Sequence, residues 1–269
     1  MELTVIGSGT VAPSAERAGP SYWVSAGEVR LMLDCGAGAL HRAAAAMIPW
    51  QQVTHVAISH FHVDHWGELP ALLVALRWGI EPPRAAPLAL LGPAGLRSRL
   101  VMLAGAFGDW IAAPDYALDT VELEPGEIHS LGNDVTLETF KTRHAAHSLA
   151  YAVRHRNARL VYTGDTGPSD ELAEWASGCD LLLAECSLPD ERAESGHLTP
   201  SNVAGLANAA HPRQLVLTHL YPWFDGSEAT EAVARAFKGP VMAARDGDRF
   251  YIGEVDLMSN SNEQDIGKQ

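Results

Sequence analysis

Apolar and polar positions alternate in short runs along most of the chain, and the lengths of these runs separate strands from helices. "LTVIG" (3–7), "SYWVS" (21–25) and "VRLMLD" (29–34) are short, apolar and bounded by turn residues, which predicts three consecutive strands. The alanine-rich "GALHRAAAAM" (38–47) predicts a helix. "VTHVAIS" (53–59) reads as a buried strand, and "ELPALLVALRW" (68–78) as a helix with Pro70 in its first turn. Proline is tolerated there because that N–H has no helical partner. "PLALLG" (87–92) followed by "AGLRSRLVMLAGAF" (94–107) repeats the strand–helix alternation. The second half offers strands at "DVTLETF" (134–140), "LAYAVRH" (149–155) and "RLVYTGD" (159–165). A helix near 169–176 leads to "DLLLAEC" (180–186), and a helix near 200–210 to "QLVLTH" (214–219). A last helix near 228–237 precedes "PVMAAR" (240–245).

Each half thus opens with consecutive strands, joined as hairpins, and passes into strand–helix alternation. That pattern predicts an α/β (α+β) fold in which two sheets pack face to face with helices outside, a four-layer αβ/βα sandwich. One domain over 1–258 accounts for it, and the polar "SNSNEQDIGKQ" (259–269) reads as a frayed tail. Gly7-Ser8-Gly9-Thr10-Val11-Ala12 matches a dinucleotide fingerprint, but Pro13 follows at once and Gly19-Pro20 ends the segment. The fingerprint works only where it opens a helix, so a turn shaping the site is the better reading.

Composition narrows the partners. The chain has 269 residues and a formal charge of −14, and lacks the basic excess of a general nucleic-acid binder. A small anion bound at a local cationic centre is not excluded by that number. "MELTVIGSG" lacks a basic, apolar leader, and no run approaches the roughly 18 apolar residues of a membrane span. Cys35, Cys179 and Cys186 show no zinc-ribbon spacing and read as reduced, buried thiols of a cytoplasmic protein. The twelve histidines are the compositional oddity.

Several of them crowd into "SHFHVDHWGELPALL" (59–73). His60 and His62 are two apart, so in an extended or irregular loop their rings can point the same way. Asp64 and His65 are adjacent and can face a second point. Two imidazoles for one cation, and a carboxylate plus an imidazole for its neighbour, is the layout of a two-metal centre. The plain alternative is a polar loop with surface histidines.

"HFHVDH" resembles the HxHxDH signature of the metallo-β-lactamase fold hydrolases. "RHAAHSLAYAV" (143–153), "YTGDT" (162–166) and "LVLTHL" (215–220) match that superfamily's later ligand motifs in order. "VIGSGTVAPSAERAGPSYWV" and "LMLDCGAG" are similar to its ribonuclease Z-like branch. The resemblance covers nearly the whole chain and implies a metallo-β-lactamase-type sandwich with its site at the sheet edges. Carried over residue by residue, it implies His60, His62 and His144 on one metal, Asp64, His65 and His219 on the other, and Asp165 bridging. His147 competes with His144. The family's ligand commonly stands seven residues before an aromatic, here Tyr151, which favours His144. His41, His55, His129, His155 and His211 read as structure: helix, strand, turn, strand end and helix end.

The resemblance also implies chemistry. Two divalent ions, zinc or else manganese or iron, would make a bridging hydroxide available at neutral pH, with Asp64 steering it or taking its proton. "AECSLPDERAESGHLTP" (184–200) looks like the stretch in which a Glu and a later His protonate the leaving oxygen, here Glu185 and His197. Local hydrogen bonding and helix capping are the alternative roles. Cys186 reads as packing.

The expected activity is a metal-dependent hydrolase, a phosphodiesterase on a small or flexible substrate. A lactone, thioester or β-lactam hydrolase and a ribonuclease Z-like RNA-processing nuclease are the rivals. The di-iron branch carries Glu where this chain has His62. Many transfer-RNA processing enzymes carry a long basic arm between the third His and the bridging Asp. Only "AAHSLAYAVRHRNARLVYTG" lies there, which makes a small-molecule phosphodiester the expected partner and transfer RNA an unexpected one. No membrane partner is expected, and a homodimer fits the resemblance. Phe61, Trp66, Trp110, Trp223 and Phe224 could rim the pocket or fill the core.

Overall fold

The computed structural model describes residues 1–253. The three N-terminal apolar runs form β1 (Glu2–Gly7), β2 (Ser21–Ala26) and β3 (Val29–Leu33), paired antiparallel. Ala26 pairs with Val29, so the β2–β3 turn is only Gly27-Glu28. Gly27 supplies the φ of +55° such a tight hairpin needs. Helix α1 (Ala39–Ala45) then returns the chain, and β4 (His55–Ala57) pairs parallel to β3. After α2 (Val63–Trp66) and α3 (Leu69–Trp78) come β5 (Leu88–Pro93), α4 (Leu96–Phe107) and β6 (Leu118–Leu123).

The second half repeats the plan. β7 (Ile128–Gly132), β8 (Val135–Lys141), β9 (Leu149–His155) and β10 (Ala158–Tyr162) are antiparallel neighbours. α5 (Asp170–Trp175), β11 (Leu181–Glu185), α6 (Pro200–Ala210), β12 (Gln214–Thr218), α7 (Gly226–Ala236) and β13 (Val241–Ala243) follow, the strands now parallel to β10. β14 (Arg249–Tyr251) leaves this half and pairs with β1. Sheet orders are β14-β1-β2-β3-β4-β5-β6 and β13-β12-β11-β10-β9-β8-β7.

The two sheets share one apolar interior, to which Leu3, Tyr22, Leu33, Tyr151, Leu160 and Leu183 contribute. Leu69, Leu72, Leu73 and Leu76 of α3 recur at helical spacing and cover the outer face of the first sheet with Leu96 and Leu100 of α4. Leu172, Val203, Ala207 and Val233 of α5, α6 and α7 do the same for the second. These are the four layers.

Four elements depart from the periodicity reading. β6 "LDTVEL" and β7 "IHSLG" are edge strands and half polar, so their pattern resembles loop. His129 accordingly lies in β7, not in a turn. β14 is three residues long, and only its pairing with the distant β1 makes it a strand. His62 is the N-cap of α2 and Asp64 and His65 lie within that single helical turn, where an irregular loop was expected. The segment after Gly7 contains no helix, and a Cβ at Gly7 would stand 1.9 Å from the carbonyl oxygen of Gly19. Its glycines serve close backbone approach. The boundary at 258 and the polar stretch 259–269 lie outside the described residues.

Candidate metal centre

Parallel strands in α/β sheets present their carboxyl ends along one edge, where functional residues collect. Here β3 leads to Asp34, β4 runs into Ser59 and His60, β10 leads to Asp165, β11 ends at Glu185 and β12 leads to His219. β9 is antiparallel to β10, so His144, which precedes it, arrives at the same edge. α2 brings Asp64 and His65 down onto this edge. Gly36 lets it approach, since a Cβ there would stand 2.2 Å from the Asp64 carbonyl oxygen.

Three overlapping groups of ligand-type atoms result, each with its atoms within 4.8 Å of one another. His60, His62, His144 and Asp165 form one, Asp64, His65 and His219 another, and Asp165, Glu185, His197 and His219 the third. Asp165 joins them: Oδ2 lies 3.7 Å from His60 Nε2, 3.6 Å from His144 Nε2 and 3.3 Å from His65 Nε2. Its Oδ1 lies 3.5 Å from His219 Nε2. Asp64 Oδ2 is 3.4 Å from the same nitrogen. His62 Nδ1 and His144 Nε2 are 3.0 Å apart. His147 is exposed and belongs to none of the groups.

The outer faces of these rings are held by hydrogen bonds. His65 Nδ1 donates to Asp34 Oδ2 at 2.7 Å, and His144 Nδ1 to the Gly196 carbonyl at 2.8 Å. His219 Nδ1 is 2.8 Å from the Ser187 hydroxyl. Such contacts set each ring's orientation and leave the opposite nitrogen free to bind. Asp34 is fully buried and also accepts from the Ser59 N–H, the Ser59 hydroxyl and the Tyr162 hydroxyl. Asp34, Ser187, Tyr162 and the Gly196 carbonyl went unassigned in the sequence. For Asp34 the signal was present: a buried-looking strand, "LMLDCG", that ends on a carboxylate.

Two buried atoms of the centre, His60 Nε2 and Asp165 Oδ1, have no hydrogen-bond partner among the described residues. A buried polar atom left bare costs about 1–3 kcal/mol, so a pair facing one cluster needs an occupant. Burial and the neighbouring rings push His60 well below the usual histidine range, which keeps its nitrogen lone pair available. Against the cost of its own burial, Asp165 is held well below the usual carboxylate range by His219, His65 and His60. His65 is pushed well above its usual range despite burial, by Asp165 and Asp34. A cation in that position would take the place of a proton. An anionic carboxylate among imidazoles with free nitrogens is a donor set for a divalent metal ion.

Glu185 and His197 stand beside this cluster. Both Glu185 oxygens lie within reach of His197 Nδ1, at 3.2 and 3.1 Å, and Glu185 also accepts from the Thr166 N–H at 2.6 Å and from the Ser187 hydroxyl. Burial opposes charge on His197, but the Glu185 hydrogen bond and charge, with Asp165 and Glu194, prevail and raise it to about 9. Glu185 therefore favours the protonated form of this ring. His197 Nδ1 is 4.0 Å from Asp165 Oδ2. Cys186 is fully buried, and burial, Glu185 and Asp190 push its thiol far up, so it packs rather than attacks.

Residues 29–220 match the family model described as a beta-lactamase superfamily domain. Ribonuclease Z of Mycobacterium bovis BCG is 30% identical, aligned over 94% of this chain and 98% of its own. Among solved structures, the metallo-beta-lactamase fold protein YhfI of Bacillus subtilis is 23% identical with a TM-score of 0.82, over 94% of this chain and 98% of that one. The short form of human tRNase Z is 21% identical with a TM-score of 0.76, over 94% and 100%.

These relatives correct one expectation. Transfer RNA was set aside as a partner, and a small molecule preferred, because the basic arm is missing and the net charge is −14. A relative named for RNA cleavage nevertheless aligns over nearly its whole length with this chain. The physical reason is that net charge averages the whole surface, while substrate meets only the local field around the site. An arm is moreover a surface insertion, which a fold gains or loses without changing its centre. The chain belongs to the metallo-β-lactamase superfamily, in its ribonuclease Z-like branch, and is a metal-dependent hydrolase.

Proposed function

We propose that the protein is a dinuclear phosphodiesterase, with RNA among its candidate substrates. In this reading His60, His62 and His144 would hold one divalent ion and Asp64, His65 and His219 the other, with Asp165 available to both. Zinc suits the imidazole-rich set, and the carboxylates also tolerate manganese or iron. Bound there, the ions supply Lewis acidity and a nucleophile at neutral pH. Asp64, near His219 and at the edge of the cluster, would orient the attacking water or accept its proton. His197 donates a proton to the departing oxygen, and Glu185 holds the ring by Nδ1 and favours its protonated form.

The observation that carries this reading is the hydrogen-bonded His197–Glu185 pair beside Asp165. An alkoxide leaving phosphorus is strongly basic and needs a proton at once, whereas a thiolate leaving a thioester does not. A lactone opening also releases an alkoxide and a lactam opening a basic nitrogen, so the pair counts against thioesters, and the relatives named for RNA cleavage favour phosphorus over ring opening. The ribonuclease relatives support the same bond type.

A hydrolysis panel with metal-reconstituted protein tests the proposal: precursor transfer RNA, unstructured RNA, small phosphodiesters, lactones, thioesters and β-lactams side by side. Turnover of phosphodiesters well above the other classes is expected. Preference for a lactone, thioester or lactam would overturn it.

A further inference from the structure

Of the five aromatics that the sequence left between pocket rim and core, the structure separates one. Phe224 is 4% exposed and lies in the outer core of the second sheet. Phe61, Trp66 and Trp110 are partly buried against the outer core of the first. Trp223 is 50% exposed. Its ring stacks on Tyr221, with centroids 5.2 Å apart and planes at 22°, and the Arg192 guanidinium lies 4.6 Å from the Trp223 ring centre.

The position of this stack matters more than its existence. Tyr221 follows His219 by two residues, and Arg192 precedes His197 by five. The stack therefore ties together the two loops that deliver a cluster histidine and His197. Tyr221 also borders an open cleft of about 1200 Å³ whose wall includes Arg17, Arg42, Asp225 and Asp246. Carboxylates outnumber guanidiniums along that wall, so it does not suit a second phosphate. A flat, uncharged ring suits it better. A tryptophan half in water, stiffened by tyrosine and arginine, gains little as packing. Tyr221 and Arg192 cover the two faces of Trp223, so the face offered to a ligand is the outer face of Tyr221 beside the cleft, a rigid π-surface of the kind on which nucleic-acid bases stack.

We propose that the Tyr221–Trp223 stack, steadied by Arg192, is a base-stacking subsite that seats the nucleobase of one nucleotide flanking the scissile phosphodiester. This rests on the phosphodiesterase reading for its biological use, but its physical content is a preference for ligands that carry a planar ring.

The test is equilibrium binding by calorimetry of adenosine 5′-monophosphate and ribose 5-phosphate to the zinc-loaded full chain. The two probes share the sugar phosphate and differ in the base. The parent should bind the nucleotide about 5–150-fold more tightly than the sugar phosphate, the worth of one stacked base. Tyr221→Ala and Trp223→Ala should each shrink that ratio towards one, while Trp223→Phe, which keeps a π-face, should retain most of it. Measurable ribose 5-phosphate binding by the same variants reports an intact fold. A parent ratio near one, or a ratio unchanged in both alanine variants, overturns the proposal. Cleavage of thymidine 5′-p-nitrophenyl phosphate by the parent separates the two readings. A ring-dependent ratio without cleavage keeps the subsite and removes the phosphodiesterase, and cleavage without the ratio does the reverse.

Discussion

Asp34 and His219 both adopt left-handed backbone, with φ of 58° and 57°. For a residue with a side chain that costs roughly 1–2 kcal/mol, and it persists here because each residue is over-determined by hydrogen bonds. Asp34 receives four, among them the His65 ring. Asp34→Asn should lower metal affinity about 10–100-fold while the protein stays folded, as competition with a chromophoric chelator would measure. Unchanged affinity would make Asp34 a purely structural carboxylate. His144 and His147 should part more sharply. His144→Ala removes a nitrogen from the cluster and should cost metal and nearly all activity, whereas His147, exposed and outside the cluster, should matter little. Metal loss from the His147 variant instead would show the ligand assignment to be wrong. For His197→Ala both metals should remain and an aryl phosphodiester, whose phenolate leaves readily, should be cleaved nearly as before. An alkyl diester should lose about 10²–10⁴-fold. Equal losses on both would leave His197 a binding residue.

Strands and helices carry the site by where they stop. β4 is only three residues long, yet it is paired on both sides, and its end presents Ser59 and His60. At its start, His55 is lowered to about 4 by burial and then by His129. Its folded pKa lies below the unfolded value, so the unfolded chain binds more protons between about pH 4 and 6.5. Stability contributed by the neutral ring is present above that window and is lost as pH falls through it. His55 is partly exposed, so the effect is smaller than the shift alone implies. Urea unfolding of His55→Gln against the parent should show the difference in stability moving in the variant's favour between pH 6.5 and 4. A pH-independent difference would mean that His55 does not titrate across folding.

Across the whole molecule the centre joins parts of the chain far apart, from His60 in the first half to His219 in the second. A cation bound by the folded chain alone therefore adds its binding energy to folding, about 4 kcal/mol at a thousandfold excess over the dissociation constant. Stripping metal with a chelator should lower the melting temperature by several degrees, with recovery on adding zinc or manganese. Metal analysis should find two ions per chain in the parent and fewer in Asp165→Ala. One ion in both would end the dinuclear reading.

Much of this was written in short-range pattern. The period of apolar residues located most strands and helices, including the switch within each half from hairpins to strand–helix alternation, because that period depends only on local geometry. Ligand-type residues also announced themselves, crowded at "HFHVDH" or placed directly after apolar strands. Edge strands β6 and β7 escaped because half their residues face water, and β14 because its partner begins the chain. What pairs with a ring lies beyond any local window: His65 meets Asp34 across 31 residues, and His144 meets Gly196 across 52. The aromatics were ambiguous for the same reason, since a core phenylalanine and a rim tryptophan have similar neighbours in sequence. Burial of Phe224 and exposure of Trp223, one position apart, came only from the packing of α7 and the loop after β12 against the sheet.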